Sequence, residues 1–260
     1  MLGKLLKYDF RSMWKQFALL WPAALALALV NRFTLSRDVG NDAVSTMVTT
    51  IPLLVFGSVM IAMVVIVLLY VIQRFYKGLL GDEGYLMHTL PVKTWQLIAS
   101  KLICAVVMTI ISIAVAFLAF LILVPFSFAD LQDVFPDLLR ALRLYGLDML
   151  LFCVEILLLL MVCTAQSYLH LYLSMALGHL ASKHRVAMSV LAYIGINVVG
   201  SILLNVLAVF NFDLDFNIVF DSAAAAFHAA VWFAIGVVAV ICAVLFFFTN
   251  YILKRNLNLE

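Results

Sequence analysis

Charge is what this sequence has least of. Only 12% of its 260 residues are Asp, Glu, Lys or Arg, about half the share found in soluble domains. Disorder is excluded, because disordered chains are rich in charge and poor in aromatics, and aromatics make up 13% of this one. The net charge of +2 supplies no basic field of the kind that holds nucleic acid. Cysteine is also scarce. Cys104, Cys153, Cys163 and Cys242 each lie in an apolar stretch and form no CxxC pair, so they read as small buried hydrophobes rather than disulfides or metal ligands.

Familiar chemical motifs are missing too. No GxxxxGK[ST] loop occurs. The nearest piece, GHLASK at 178–183, lacks the second glycine and the terminal hydroxyl residue, so the chain has no loop of that type to cradle phosphates. HExxH and GxSxG are absent, and Phe56-Gly57-Ser58 is only a small-residue step. Glu155 and His170 stand 15 residues apart, about 22 Å along a helix. His170 and His179 are nine apart, about 13 Å, too far to share one metal without a partner helix. His228 begins the last apolar run and His88 lies in a loop. No catalytic constellation, metal site or cofactor site emerges, and an enzyme is not the expectation.

What is present is apolar surface. Apolar residues make up 67%, with 20 Phe, 11 Met and 4 Trp, against roughly 45–50% in a soluble domain. A water-soluble fold of this size cannot hide so much. The expectation is an all-α polytopic membrane protein, one transmembrane domain over 1–260. Six spans are predicted, at about 17–31, 51–73, 96–126, 147–177, 186–209 and 226–253. The first is short for a hydrocarbon layer of about 30 Å. It resembles a signal peptide, but the run ends in Ala28-Leu29-Val30 at Asn31-Arg32, without a small-x-small cleavage signal there, so a retained span is expected.

Charge sets the orientation. Residues 1–17, 74–101, 178–187 and 251–260 carry 12 of the 16 basic residues. The remaining segments hold Arg32, Arg37, Arg140 and Arg143 with most of the acids. The positive-inside rule then places both termini in the cytoplasm. Residues 127–146 predict a short helix along the outer surface, with Leu138, Leu142 and Tyr145 on one side. In residues 2–17, LGKLLKYDFRSMWKQF, Leu2, Leu5, Leu6, Phe10, Met13 and Phe17 recur at helical spacing, while Lys4, Lys7, Arg11 and Lys15 take other faces. That pattern predicts an interfacial helix over 1–16 ahead of the first span.

The loop between spans two and three is the most informative segment. Gly78, Gly81 and Gly84 break the helix leaving span two. Asp82 and Glu83 suit the start of a short helix, where carboxylates meet its positive end. Pro91 ends that helix, and Thr94 suits the cap of span three. Tyr85, Leu86, Met87 and Leu90 are apolar within a cytoplasmic loop. Two readings follow: a docking knob for a cytoplasmic partner, or side chains packed back under the bundle.

Polar residues inside spans are few. Glu155 is the one acid clearly placed there. It must face protein, water or a cation, or keep its proton. A cargo or gating role and a plain interhelical hydrogen bond both fit. Gln166 and His170 share a face of span four by i,i+4 spacing, and line either the pathway or helix contacts. Asn197, Gly200, Ser201 and Asn205 suit close helix packing in span five. The run Phe246–Phe248 suits lipid contact.

The run RFYKGLLGDEGYLMHTLPVKTWQLIASKL at 74–102 closely resembles the corresponding loop of permeases in bacterial ABC-2-type ABC transporters. There, a similar arginine-aromatic stretch leads into GDEGYL-x-x-TLP and a Lys-terminated helix start. The opening LLKYDFRS and closing LKRNLNLE look like those permeases too. The resemblance implies that residues 2–17 are the connecting helix and that about 82–93 carry the coupling helix. It makes Tyr85, Leu86, Met87 and Leu90 the apolar contact with an ATPase, oriented by Asp82, Glu83 and Lys93. It further implies a second permease subunit, a separate ATP-binding subunit that holds ATP and Mg, export of a peptide, antimicrobial or hydrophobic solute, and a bacterial plasma membrane. The other readings of the chain are a secondary transporter, or a structural or sensory membrane protein that moves no cargo.

Overall fold

The computed structural model describes residues 2–35, 43–80, 92–123, 128–181, 183–209 and 223–255. Among these residues every element is helical. In chain order they are α1 (Leu2–Leu35), α2 (Ala43–Phe75), a π-helical turn (Tyr76–Leu80), α3 (Thr94–Leu123), α4 (Phe128–His179), α5 (Arg185–Val209) and α6 (Ala223–Arg255). Six stretches are long and apolar enough to cross a bilayer, one in each of α1 and α3 to α6 and one running from α2 through the π turn: Phe17–Thr34, Thr50–Leu80, Thr94–Leu123, Asp148–His179, Arg185–Ile202 and Ala225–Arg255. The protein is an all-α, multi-pass membrane protein. Helices are the expected solution in lipid, where each backbone N–H and C=O must be satisfied within the protein.

Two expectations change in detail. The amphipathic N-terminal helix and the first span are one element: α1 runs unbroken for 34 residues through Pro22, about 51 Å at the helical rise. No glycine or turn pair between Trp14 and Phe17 offers a stop, and proline is tolerated in membrane helices. Lys4, Lys7, Arg11 and Lys15 are exposed while Met13 and Phe17 are buried, so the predicted two faces are present. Of the cysteines only Cys104 is buried; Cys163 and Cys242 are half-buried and Cys153 is exposed, which costs little for a small, weakly polar side chain on an apolar helix surface. All four cysteines are free thiols.

α4 is two helices joined at Gly146, whose backbone has φ 45° and ψ −119°. A side chain makes that left-handed geometry costly, so glycine fits the break. The segment before it is helical, as its pattern predicts, although Leu138, Leu142 and Tyr145 have side chains outside the described residues. α3 begins with a cap of another kind than expected. Lys93, not Thr94, occupies the cap position. The Lys93 N–H donates to Gln96 Oε1 at 3.3 Å, and the Gln96 N–H donates to the Lys93 carbonyl at 2.9 Å. The first bond is the side-chain half of a capping box, with Gln in the third position; the second is a backbone turn bond, because a lysine side chain has no acceptor.

By contacts the chain divides into two compact units. One comprises residues 3–70 and 107–149. There Ala28, Phe56 and Ala119 form a buried cluster, flanked by Leu25, Met60 and Ile122. Small residues let membrane helices approach where water supplies no driving force. The Trp21 indole N–H donates to Ser112 Oγ at 3.1 Å, and Ser112 passes its own hydrogen to the Met108 carbonyl at 2.9 Å. A buried indole needs such an acceptor.

The other unit comprises residues 1–2, 71–106 and 150–260. Its buried side chains include Phe75, Leu79, Leu97, Ile98, Leu169 and Tyr172. α5 is the exception within it: no residue of its Arg185–Ile202 span is buried. Its polar groups turn inward on their own helix instead. Asn197 Nδ2 donates to the Tyr193 carbonyl, Ser201 Oγ to Val198 and Asn205 Nδ2 to Ser201, at 2.8–2.9 Å.

Candidate functional site

Two places in the second unit combine polar chemistry with burial. The first is the pair of arms that flank residues 81–91. On the α2 side the backbone widens into the π-helical turn Tyr76–Leu80, with Gly78, Leu79 and Leu80 buried. Such turns are frequent at functional sites. On the α3 side Ser100 and Lys101 are buried. The Lys101 ammonium reaches the π turn, where a Cβ added at Gly78 would lie 2.6 Å from Nζ. The glycine thus leaves room for a cation.

α4 braces the α2 arm, and α5 packs behind α4. The Phe75 and Tyr172 rings stack at 3.9 Å between centroids, 9° from parallel. Tyr76 meets His179 edge to face at 6.2 Å. On its other side His179 Nε2 lies 3.4 Å from an Arg185 guanidinium nitrogen, so Nε2 accepts and Arg185 donates. Gly178 brings α4 against α5: an added Cβ would collide with Ser189 Oγ and sit 2.5 Å from the Ser189 Cα and N. Only glycine allows that backbone approach. The turn joining the two helices holds His184 at φ 55°, and the His184 carbonyl accepts the Met188 N–H at 3.0 Å.

The second place lies within the spans. Glu155 is 2% exposed and sits seven residues inside the Asp148–His179 span, about 10 Å from its start. Its Oε2 accepts from His228 Nδ1 of α6 at 2.7 Å. The Glu155 side chain is 3% exposed and that of His228 23%. Phe152 and Phe227 pack beside the pair with ring centroids 5.5 Å apart, and Phe227 meets the His228 ring at 6.1 Å.

The sequence-derived residues distribute unevenly over these places. Asp82, Glu83, Tyr85, Leu86, Met87 and Leu90 lie outside the described residues. Lys93 is exposed at the cap of α3. Glu155 is buried and paired. Gln166 and His170 are half-buried one turn apart on α4, but Gln166 is eleven residues beyond Glu155, about 16 Å. The three residues therefore do not form one site. Sequence reasoning missed His228 as the partner of Glu155. The available signal was depth: both stand a short way inside the same expected end of their spans. Among the described residues no three of His, Cys, Asp or Glu come close enough to hold a metal.

Comparison with family models, curated proteins and solved structures gives no match.

Proposed function

We propose that this chain is the membrane-spanning permease subunit of an ATP-driven transporter of the ABC-2 type. It exports a peptide, an antimicrobial compound or another hydrophobic solute across a bacterial plasma membrane. Both termini are cytoplasmic, a second permease subunit faces it, and ATP and Mg are held by a separate cytoplasmic ATPase. The observation that carries the reading is the 74–102 run, with its glycine-punctuated, apolar GDEGYLMHTLP segment set between two helical arms.

The arms suit a lever. Ring contacts brace the α2 arm against α4, the buried Lys101 links the α3 arm to the π turn, and a close glycine contact holds α4 against α5. Packed interiors transmit displacement because they are dense and have few alternative arrangements. A push on Tyr85, Leu86, Met87 and Leu90 would then be felt by the spans. Nucleotide binding on the ATPase biases the permease between two states by its differential affinity for them.

The test is affinity purification of the tagged chain in mild detergent from its native cell. A stoichiometric ABC ATPase should accompany it and depart on Leu86→Asp, with loss of coupled transport. A monodisperse chain with no ATPase, under conditions that preserve a known ABC complex, would sink the reading. A secondary transporter is the second reading, and it rests on the Glu155–His228 pair. Ionisable residues at such depth often mark ion or substrate pathways. Transport driven by an ion gradient without ATP would favour it.

A further inference from the structure

We infer that Glu155, His228, Phe152 and Phe227 form a binding site for an organic cation with an apolar body. A carboxylate that is 2% exposed within an apolar span needs a donor, because hydrocarbon offers none. The donor it has is unlike a buried structural partner. His228 keeps 23% of its side chain exposed, and the contact engages only Oε2 of the carboxylate. The imidazole therefore covers a carboxyl group more deeply buried than itself.

The surroundings define the chemistry of a replacement for it. Phe152 lies three residues before Glu155, on the same helix face. Phe227 is adjacent to His228 in sequence. Both phenyl rings are more than 40% exposed, at 43% and 44%. Their faces attract a cation that reaches the carboxylate, and their apolar area receives the body attached to it. A divalent metal ion is not accommodated, since no third metal-ligating side chain joins the pair among the described residues and such ions take four or more ligands. An ammonium can set one N–H on the carboxylate and turn its remaining N–H groups toward the ring faces and the exposed side of the site.

In this arrangement His228 is the ligand's competitor. Its Nδ1–H holds the position that the incoming N–H takes, and its exposed edge gives it somewhere to turn. The two substitutions therefore act with opposite sign. Removal of the carboxylate abolishes the site, while removal of the imidazole leaves the carboxylate for the ligand alone. A structural clasp between α4 and α6 predicts equal damage from both. That the bound cation is the transported cargo rests on the permease reading; binding itself does not.

The test is calorimetric titration of the full chain, in nanodiscs of zwitterionic lipid, with 4-phenylbutylammonium. The neutral alcohol 4-phenylbutanol controls for partition into lipid. Saturable binding of the ammonium and none of the alcohol is expected. Glu155→Gln should weaken binding by about tenfold or more, the loss of a charge-assisted contact, and His228→Ala should bind at least as tightly as the unaltered chain. Absence of saturable binding by the unaltered chain overturns the inference, whether or not the variants fold. So does equal binding of ammonium and alcohol, unchanged affinity in Glu155→Gln, or loss of binding in both variants. No ATPase takes part, so this result and the co-purification result fail separately.

Discussion

The Phe75 and Tyr172 rings lie nearly parallel, 3.9 Å apart, and tie the end of α2 to α4. Both are essentially inaccessible, at 0% and 1%. Phe75→Leu keeps most of the apolar volume and removes the ring pair, so it should lower stability by about 0.5–1.5 kcal/mol. Tyr172→Phe retains both rings and should lose less. Thermal unfolding of the purified chain in one detergent would rank the two, and a larger loss in Tyr172→Phe would show that the hydroxyl, not the stacking, matters.

Trp21 and Ser112 make a second long-range tie, in the other unit. Ser112→Ala leaves the indole N–H without its acceptor. Hydrogen bonds between membrane helices average about 0.6 kcal/mol and reach about 1.7, and the loss should fall in that range. A double-mutant cycle with Trp21→Phe isolates the pair. A coupling energy indistinguishable from zero would mean that the contact contributes nothing net.

The Gly178 contact with Ser189 is between backbones, so relief by a side-chain rotation is closed off. Gly178→Ala should cost about 1–3 kcal/mol through overpacking. Gly195→Ala is the matched control, because an added Cβ there meets nothing within 4 Å. Equal melting temperatures for the two variants would contradict the close approach of α4 and α5.

Gly146 fails for a different reason when it is changed. An added Cβ has open space around it, but the backbone sits at φ 45°. Gly146→Ala should therefore destabilise by about 1 kcal/mol from conformation alone. Gly146→Asn should cost no less, since asparagine's tolerance is for the αL basin at ψ of about +30 to +60°, not for ψ −119°. Comparing their unfolding midpoints separates backbone strain from packing.

The six spans were legible because bilayer thickness fixes their length and hydrocarbon fixes their composition. The observed stretches start and stop within three residues of the predicted ones, apart from the ends of the α2 and α5 stretches, and the α5 helix itself runs to Val209 as expected. The fusion of the basic N-terminal helix with the first span was not legible. Amphipathic pattern reports faces, and nothing in residues 12–20 states whether the axis bends. The Glu155–His228 pair was hidden for a different reason: 73 residues separate its members, and pairing across helices depends on packing rather than on local spacing. The polar step of Gln166 and His170 was visible locally but does not extend to Glu155. The α3 cap was misassigned by one residue, because threonine is the commoner cap and the Gln96 side chain, two residues further on, satisfied the Lys93 N–H instead.

α5 has a consequence for biosynthesis. With no residue of Arg185–Ile202 fully buried in the folded chain, and only a stripe at Arg185, Ser189, Ala192, Ile196 and Gly200 half-buried, this helix gains little shelter from its neighbours after it enters the bilayer. The insertion machinery must accept it on its own sequence, one helix against lipid. Asn197, Ser201 and Asn205 weigh against that partition. Their amide and hydroxyl hydrogens already rest on carbonyls of the same helix, which removes part of the penalty before any tertiary contact exists.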